Sequence, residues 1–170
     1  MAAKPSILLC TVGTSLKGPA NLAGRHTAGA ATDWAAVAAA LAAADPADRA
    51  CGAEVNSVAS LVAGGHVPAD VGVYLFHSDT DDGRAVAAGD LDDADPRRFR
   101  TRGLRNLARN LCRVVREYTP AACGINATGG YKPQIAIAVL FGQAIGIPVY
   151  YMHERFGQVI EFPPLPVALD

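Results

Sequence analysis

Asn126-Ala127-Thr128-Gly129-Gly130-Tyr131-Lys132-Pro133-Gln134 is the stretch that decides the fold. Before it, residues 121–125 form a short apolar run suited to a buried strand. After it, residues 133–144 open on proline and carry Ile135, Ile137, Val139, Leu140 and Phe141 on one helical segment. A strand that passes through two glycines directly into a helix is the repeating step of a parallel α/β sheet. The same loop is an anion site in outline. Glycines let the backbone approach a ligand, the first N–H groups of a helix have no intrahelical partner, and the helix dipole places partial positive charge there. Lys132 adds a full charge at an end of the helix where a cation is otherwise disfavoured, which makes a purely structural lysine the poorer explanation.

Working outward, a second loop of the same kind lies near the N-terminus. Residues 6–10 read as a buried strand, and Thr11-Val12-Gly13-Thr14-Ser15-Leu16 follows with hydroxyls and a glycine. Ligands of open parallel sheets sit outside the carboxyl ends of the strands, so both loops are expected on one rim. The candidate contacts are Gly13, Thr14, Ser15 and Leu16 from the first loop, and Asn126, Thr128, Gly129, Gly130, Tyr131 and Lys132 from the second. A third rim loop follows the β-forming run at 71–76 and offers Ser78, Asp79 and Thr80. The segment Glu54-Val55-Asn56-Ser57 is expected to fix its helix against the neighbouring loops.

The remaining elements fit the alternation. Thr32-Asp33 caps a helix running from Trp34 toward Ala44, and Val55, Val58, Leu61 and Val62 recur at helical spacing within 51–63. Residues 101–118 form an amphipathic helix, with Leu104, Leu107, Leu111, Val114 and Val115 on one side and five arginines elsewhere. A short helix is predicted at 84–88 and a solvated loop at 89–100. Residues 149–152 predict a strand, and 158–162 a last strand returning in a hairpin around Phe156-Gly157. The expected fold is a single α/β domain over residues 1–170: a Rossmann-like, mostly parallel sheet sandwiched by helices, with an antiparallel C-terminal edge hairpin.

A length of 170 residues suits one well-packed domain. The formal net charge of −1 gives no global attraction to nucleic acid or anionic membrane, so a local cluster must meet any anionic ligand, and small ligands suit this better than long duplexes. Cys10, Cys51, Cys112 and Cys123 lack metal-ligand spacing and lie in or beside apolar stretches, as reduced thiols do. A cytoplasmic protein without leader or membrane span is expected.

Several chemistries fall away. The first loop holds one glycine where a dinucleotide fingerprint needs three, and Lys132 precedes proline where a P-loop needs a hydroxyl for magnesium. The four histidines fall in different segments, Ser15 has no nucleophile-elbow setting, and neither a metal site nor a cofactor site is read. What remains is a metal-free pocket of hydroxyls, backbone N–H groups, an amide and a lysine. Such a pocket binds phosphodiesters. It can also cleave RNA-type linkages, with the substrate's own 2′-hydroxyl as nucleophile, because the protein need only align the groups while Lys132 stabilises the developing charge. The products are a 2′,3′-cyclic phosphate and a 5′-hydroxyl.

At these residues the chain resembles the CARF (CRISPR-associated Rossmann fold) family. Five segments carry the resemblance: Thr11-Val12-Gly13-Thr14-Ser15-Leu16; Gly52-Ala53-Glu54-Val55-Asn56-Ser57; His77-Ser78-Asp79-Thr80 with Gly83; the loop from Asn126 to Lys132; and Tyr150-Tyr151-Met152-His153-Glu154-Arg155 through Pro163-Pro164-Leu165-Pro166. The resemblance implies a homodimer whose paired loops surround a cyclic oligoadenylate, most often cyclic tetra-adenylate, the messenger of type III CRISPR systems. A two-fold ligand suits a two-fold dimer. For a chain that stops at Asp170 it implies a stand-alone sensor domain similar to the ring nucleases, with Ser15 and Lys132 as catalytic residues. Ser15 and Lys132 serve binding and cleavage equally. A non-catalytic sensor with a separate effector partner, and a sensor fragment of a longer effector nuclease, therefore stay open beside the ring nuclease.

Overall fold

In the computed structural model, residues 3–29, 31–77, 103–153, 155 and 157–166 are described, with the side chain of Ser15 excepted. Five strands build the main sheet: β1 (Ile7–Thr11), β4 (Gly72–Phe76), β5 (Cys123–Asn126), β6 (Val149–Tyr151) and β7 (Ile160–Glu161). Their spatial order is β4-β1-β5-β6-β7. The first four run parallel and β7 returns antiparallel along β6, pairing Tyr151 with Ile160. This is the mostly parallel α/β sheet with an antiparallel C-terminal edge that the alternation of elements predicts.

Strand alternation divides the core between the two faces of the sheet. Leu8 and Cys10 of β1 point to one side, where they pack with Leu61 and Val58 of helix α3 (Ala53–Ala63), and with Val67, Tyr150 and Val159. Leu9 points to the other, where it meets Leu107, Leu111 and Val114 of helix α4 (Leu104–Tyr118) and Ala138 of helix α5 (Lys132–Ile145), together with Phe76, Ile125 and Val149. Leu8, Leu9, Leu61, Leu107 and Ile125 have no solvent-exposed surface, and burying each such side chain stabilises the fold by roughly 1.5–3 kcal/mol. In α4 the apolar stripe faces the core while Arg105, Arg109, Arg113 and Arg116 are exposed, as the periodicity requires.

The order of the strands places the site. From β1 the chain crosses to β4 on one side, and from β5 it crosses through α5 to β6 on the other. The carboxyl ends of β1 and β5 are therefore where the connections diverge, the switch point at which open α/β sheets leave a crevice.

One stretch differs from the sequence expectation. The glycine-rich segment after the first loop holds a one-turn helix, α1 (Leu22–Arg25), and a two-residue hairpin, β2 (Thr27–Ala28) with β3 (Ala31–Thr32). The Thr27 hydroxyl reaches both the Ala23 carbonyl at 2.6 Å and the Thr32 hydroxyl at 2.8 Å, closing the hairpin onto α1. Helix α2 (Trp34–Ala43) then starts where the cap predicts, with Asp33 accepting the Ala36 N–H at 3.0 Å. The short helix predicted at 84–88 and the loop at 89–100 lie outside the described residues.

Between α4 and β5, Thr119 holds φ 70° and ψ 151°, a backbone conformation in which side chains are strained and β-branched ones most of all. Thr119→Gly should relieve that strain, offset in part by the freer unfolded chain, and stabilise the protein by about 1 kcal/mol. Calorimetry should then show a melting temperature roughly 2–4 °C higher. An unchanged or lowered value would count against a strained backbone at this position.

Candidate functional site

Two loops meet at the switch point because nothing bulky separates them. The loop after β1 brings Gly13 against the loop after β5: a Cβ on Gly13 would lie 2.9 Å from the Gly130 nitrogen, closer than real side chains come. The Thr11 hydroxyl donates to the Gly129 carbonyl across the same gap. Gly129 is covered in turn by Glu54 from the first turn of α3, whose Oε1 would stand 2.2 Å from any Cβ placed there. That carboxylate accepts the Gly13 N–H at 2.8 Å. Both loops and the start of α3 thus converge on one point.

A buried polar chain sets the height of this junction. Met152 N–H donates to the Thr128 hydroxyl at 3.0 Å, which donates to the Asn126 Oδ1 at 2.6 Å. The Asn126 amide donates to the Ser57 hydroxyl at 2.8 Å, and that hydroxyl donates to the Glu54 carbonyl at 3.1 Å. Gln134, fully buried in the first turn of α5, donates to the Phe76 carbonyl at 2.6 Å. Val12 N–H shares the same acceptor at 2.9 Å, so the end of β4 is tied to both loops. Asn126 is thereby engaged beneath the loops. The segment Glu54-Val55-Asn56-Ser57 fixes α3 against its surroundings, Asn56 through the Pro46 and Asp48 carbonyls at 2.7 and 2.8 Å.

Above the junction lies an open cleft of about 1320 Å³. Gly13, Thr14, Thr128, Gly129 and Gly130 line it at one end, with Glu54 between them. Asp45 and Arg49, and Arg155 with Tyr151 and Met152, also line it. Of the other candidates, Lys132 is exposed as the first residue of α5 and Tyr131 precedes it. Leu16 packs toward the N-terminal end of α3, close to Gly52. Ser15 opens a 3₁₀ turn, Ser15–Lys17, whose side-chain geometry at Ser15 lies outside the description, as do Ser78, Asp79 and Thr80. No local pattern in the sequence marks Glu54, Arg49 or Arg155 as lining this cleft. Gly52-Ala53-Glu54 was the one available signal, since a glycine followed by an acid marks a helix start without showing what the acid will face.

Cys10 lies directly beneath this site, fully desolvated. Burial pushes its thiol pKa up to about 12, the Asn126 hydrogen bond lowers it, and the Glu54 charge raises it further. The folded state holds this proton when the unfolded chain has released it, so the associated stability is present below the unfolded value near 9 and is lost as pH rises toward 12. Urea unfolding at pH 8, 9 and 10 should show falling stability, with a shallower fall in Cys10→Ala. Parallel slopes in the two proteins would show that Cys10 does not contribute.

Residues 86–165 match the family model described as CRISPR-associated protein (Cas_APE2256). The match takes in α4, β5, the loop with Gly129, Gly130 and Lys132, α5 and β6. It agrees with a CARF-type CRISPR-associated domain. No curated protein matches the chain. Among the described residues, no helix is long and apolar enough to cross a membrane, and no three His, Cys, Asp or Glu side chains are gathered as metal ligands.

Proposed function

We propose that this protein binds a cyclic oligoadenylate, cyclic tetra-adenylate foremost, and cleaves it by attack of a ribose 2′-hydroxyl on the adjacent phosphate, switching off type III CRISPR signalling. The observation that carries the reading is the junction of the two glycine loops at the sheet's switch point, with Lys132 at the first position of the following helix, in a chain that matches a CRISPR-associated family. A lysine at that helix end meets the positive pole of the dipole, and an anionic ligand resolves the conflict. Thr14 and the backbone of Gly130 hold the ribose-phosphate from one side and Lys132 counters charge gathering on the phosphate oxygens. Ser15 positions the reacting ribose-phosphate. A ring with two-fold symmetry presents the same groups twice, so the active species is a homodimer in which two copies of both loops surround the ligand. No resident cofactor enters this scheme, because the nucleophile belongs to the substrate.

Incubating the protein with cyclic tetra-adenylate and cyclic hexa-adenylate in EDTA, with chromatographic separation of products, tests ring size and cleavage together. Linear products ending in 2′,3′-cyclic phosphate are expected, and none from a ring carrying 2′-methoxy groups. Products with 5′-phosphate ends would rule out attack by the ribose. Binding without product would leave a sensor that acts through a separate effector.

Lys132→Ala should weaken binding by roughly ten- to a hundredfold, the size of a charge-assisted hydrogen bond of about 1.5–3 kcal/mol, and should slow turnover as well. Titration calorimetry with cyclic tetra-adenylate reads the first effect. A variant that binds and cuts normally would remove Lys132 from the site.

A further inference from the structure

We infer that Glu54 is the general base of the cleavage reaction, accepting the proton of the attacking 2′-hydroxyl; this rests on the functional reading above. Attack by a ribose hydroxyl requires an acceptor for its proton, and the loops themselves offer hydroxyls, N–H donors and a lysine. Glu54 supplies the missing group at the right place. Its Oε1 stands at the junction of both loops, anchored by the Gly13 N–H at 2.8 Å and covering Gly129. A carboxylate has about four acceptor sites over its two oxygens, and Glu54 lines the open cleft.

The carboxylate's surroundings point the same way. A ribose hydroxyl next to a bound phosphate is a donor that a carboxylate at this junction can accept from, which offsets the repulsion between the two negative charges. The site is also shaped around it. A side chain on Gly129 would stand 2.2 Å from Oε1 and drive the carboxylate from the junction. Of the two carboxylates among the described residues lining the cleft, Asp45 accepts the Ala47 N–H in its own turn at 2.9 Å, whereas Glu54 accepts from the first loop itself. None of the described histidines lines the cleft, and His153 Nδ1 accepts the Arg155 N–H at 3.1 Å.

In the step, the 2′-hydroxyl proton passes to the Glu54 carboxylate and the 2′-oxygen forms its bond to phosphorus. The bond from phosphorus to the 5′-oxygen breaks, its electron pair stays on that oxygen, and water supplies the proton that completes the 5′-hydroxyl. Glu54 then returns its proton to solvent.

Glu54→Gln separates this role from a structural one, because a glutamine carbonyl still accepts the Gly13 N–H and yet takes no proton. Single-turnover cleavage of cyclic tetra-adenylate in EDTA, beside titration calorimetry of binding, should show a rate roughly 10²- to 10⁴-fold lower with affinity equal or tighter. Glu54→Asp, which keeps a carboxylate on a shorter arm, should cleave faster than Glu54→Gln. A glutamine variant that cleaves within a few-fold of wild type, or that loses binding along with cleavage, overturns the assignment and leaves Glu54 as a support for Gly13. If the wild type itself binds without cleaving, the cleavage reading falls and the base falls with it. Retained cleavage in the glutamine variant removes the base alone.

Discussion

The Thr11 hydroxyl donating to the Gly129 carbonyl, with Gly13 seated against Gly130, holds the carboxyl ends of β1 and β5 closer than any residue with a side chain permits. The rest of the site depends on that closeness. It brings two sets of loop N–H groups to one place and leaves room above Gly129 for a carboxylate supplied by a helix on one face of the sheet. It also fixes where α5 begins, so that Lys132 stands at the same rim. A methyl group at Gly13 or Gly129 would force the loops apart by a few tenths of an ångström or more, and every one of these placements would shift with them.

Closeness of backbone needs support from below, and it comes from polar side chains inside the core. Thr11, Ser57, Asn126 and Gln134 are all buried, and among the described residues no buried side-chain polar atom lacks a hydrogen-bond partner. Deleting one member leaves its partner desolvated without a bond, which costs about 1–3 kcal/mol. The network therefore gives the loops a single arrangement where a wholly apolar base would tolerate several. In a protein of near-zero net charge, backbone dipoles held in fixed positions can present local positive potential without a surplus of lysine and arginine.

Much of this was legible in the chain. The alternation of Leu8, Leu9 and Cys10, the apolar stripe of α4 and the glycine break before α5 are local patterns, and local patterns report which face of an element is buried. The convergence of the two loops also followed from the strand–loop–helix steps alone. Glu54 did not, because its bond to Gly13 spans 41 residues and no local period encodes it. The position of Asn126 at a strand end said that it lay near the rim, while the engagement of its amide depended on Ser57 from a different helix. The hairpin of β2 and β3 was missed because strands of two residues are too short for alternation to register.

The Phe76 carbonyl carries a consequence for motion. It accepts both the Val12 N–H and the Gln134 amide, so the last residue of β4 is wired to the first loop and to the helix that follows the second. β4 is also the terminal strand of the described sheet, held laterally by β1 alone. Sliding that strand along its neighbour would loosen both loops at once without touching whatever they hold. The outer edge of the sheet is thus a lever on the rim, and a partner gripping it would act on the ligand from a distance.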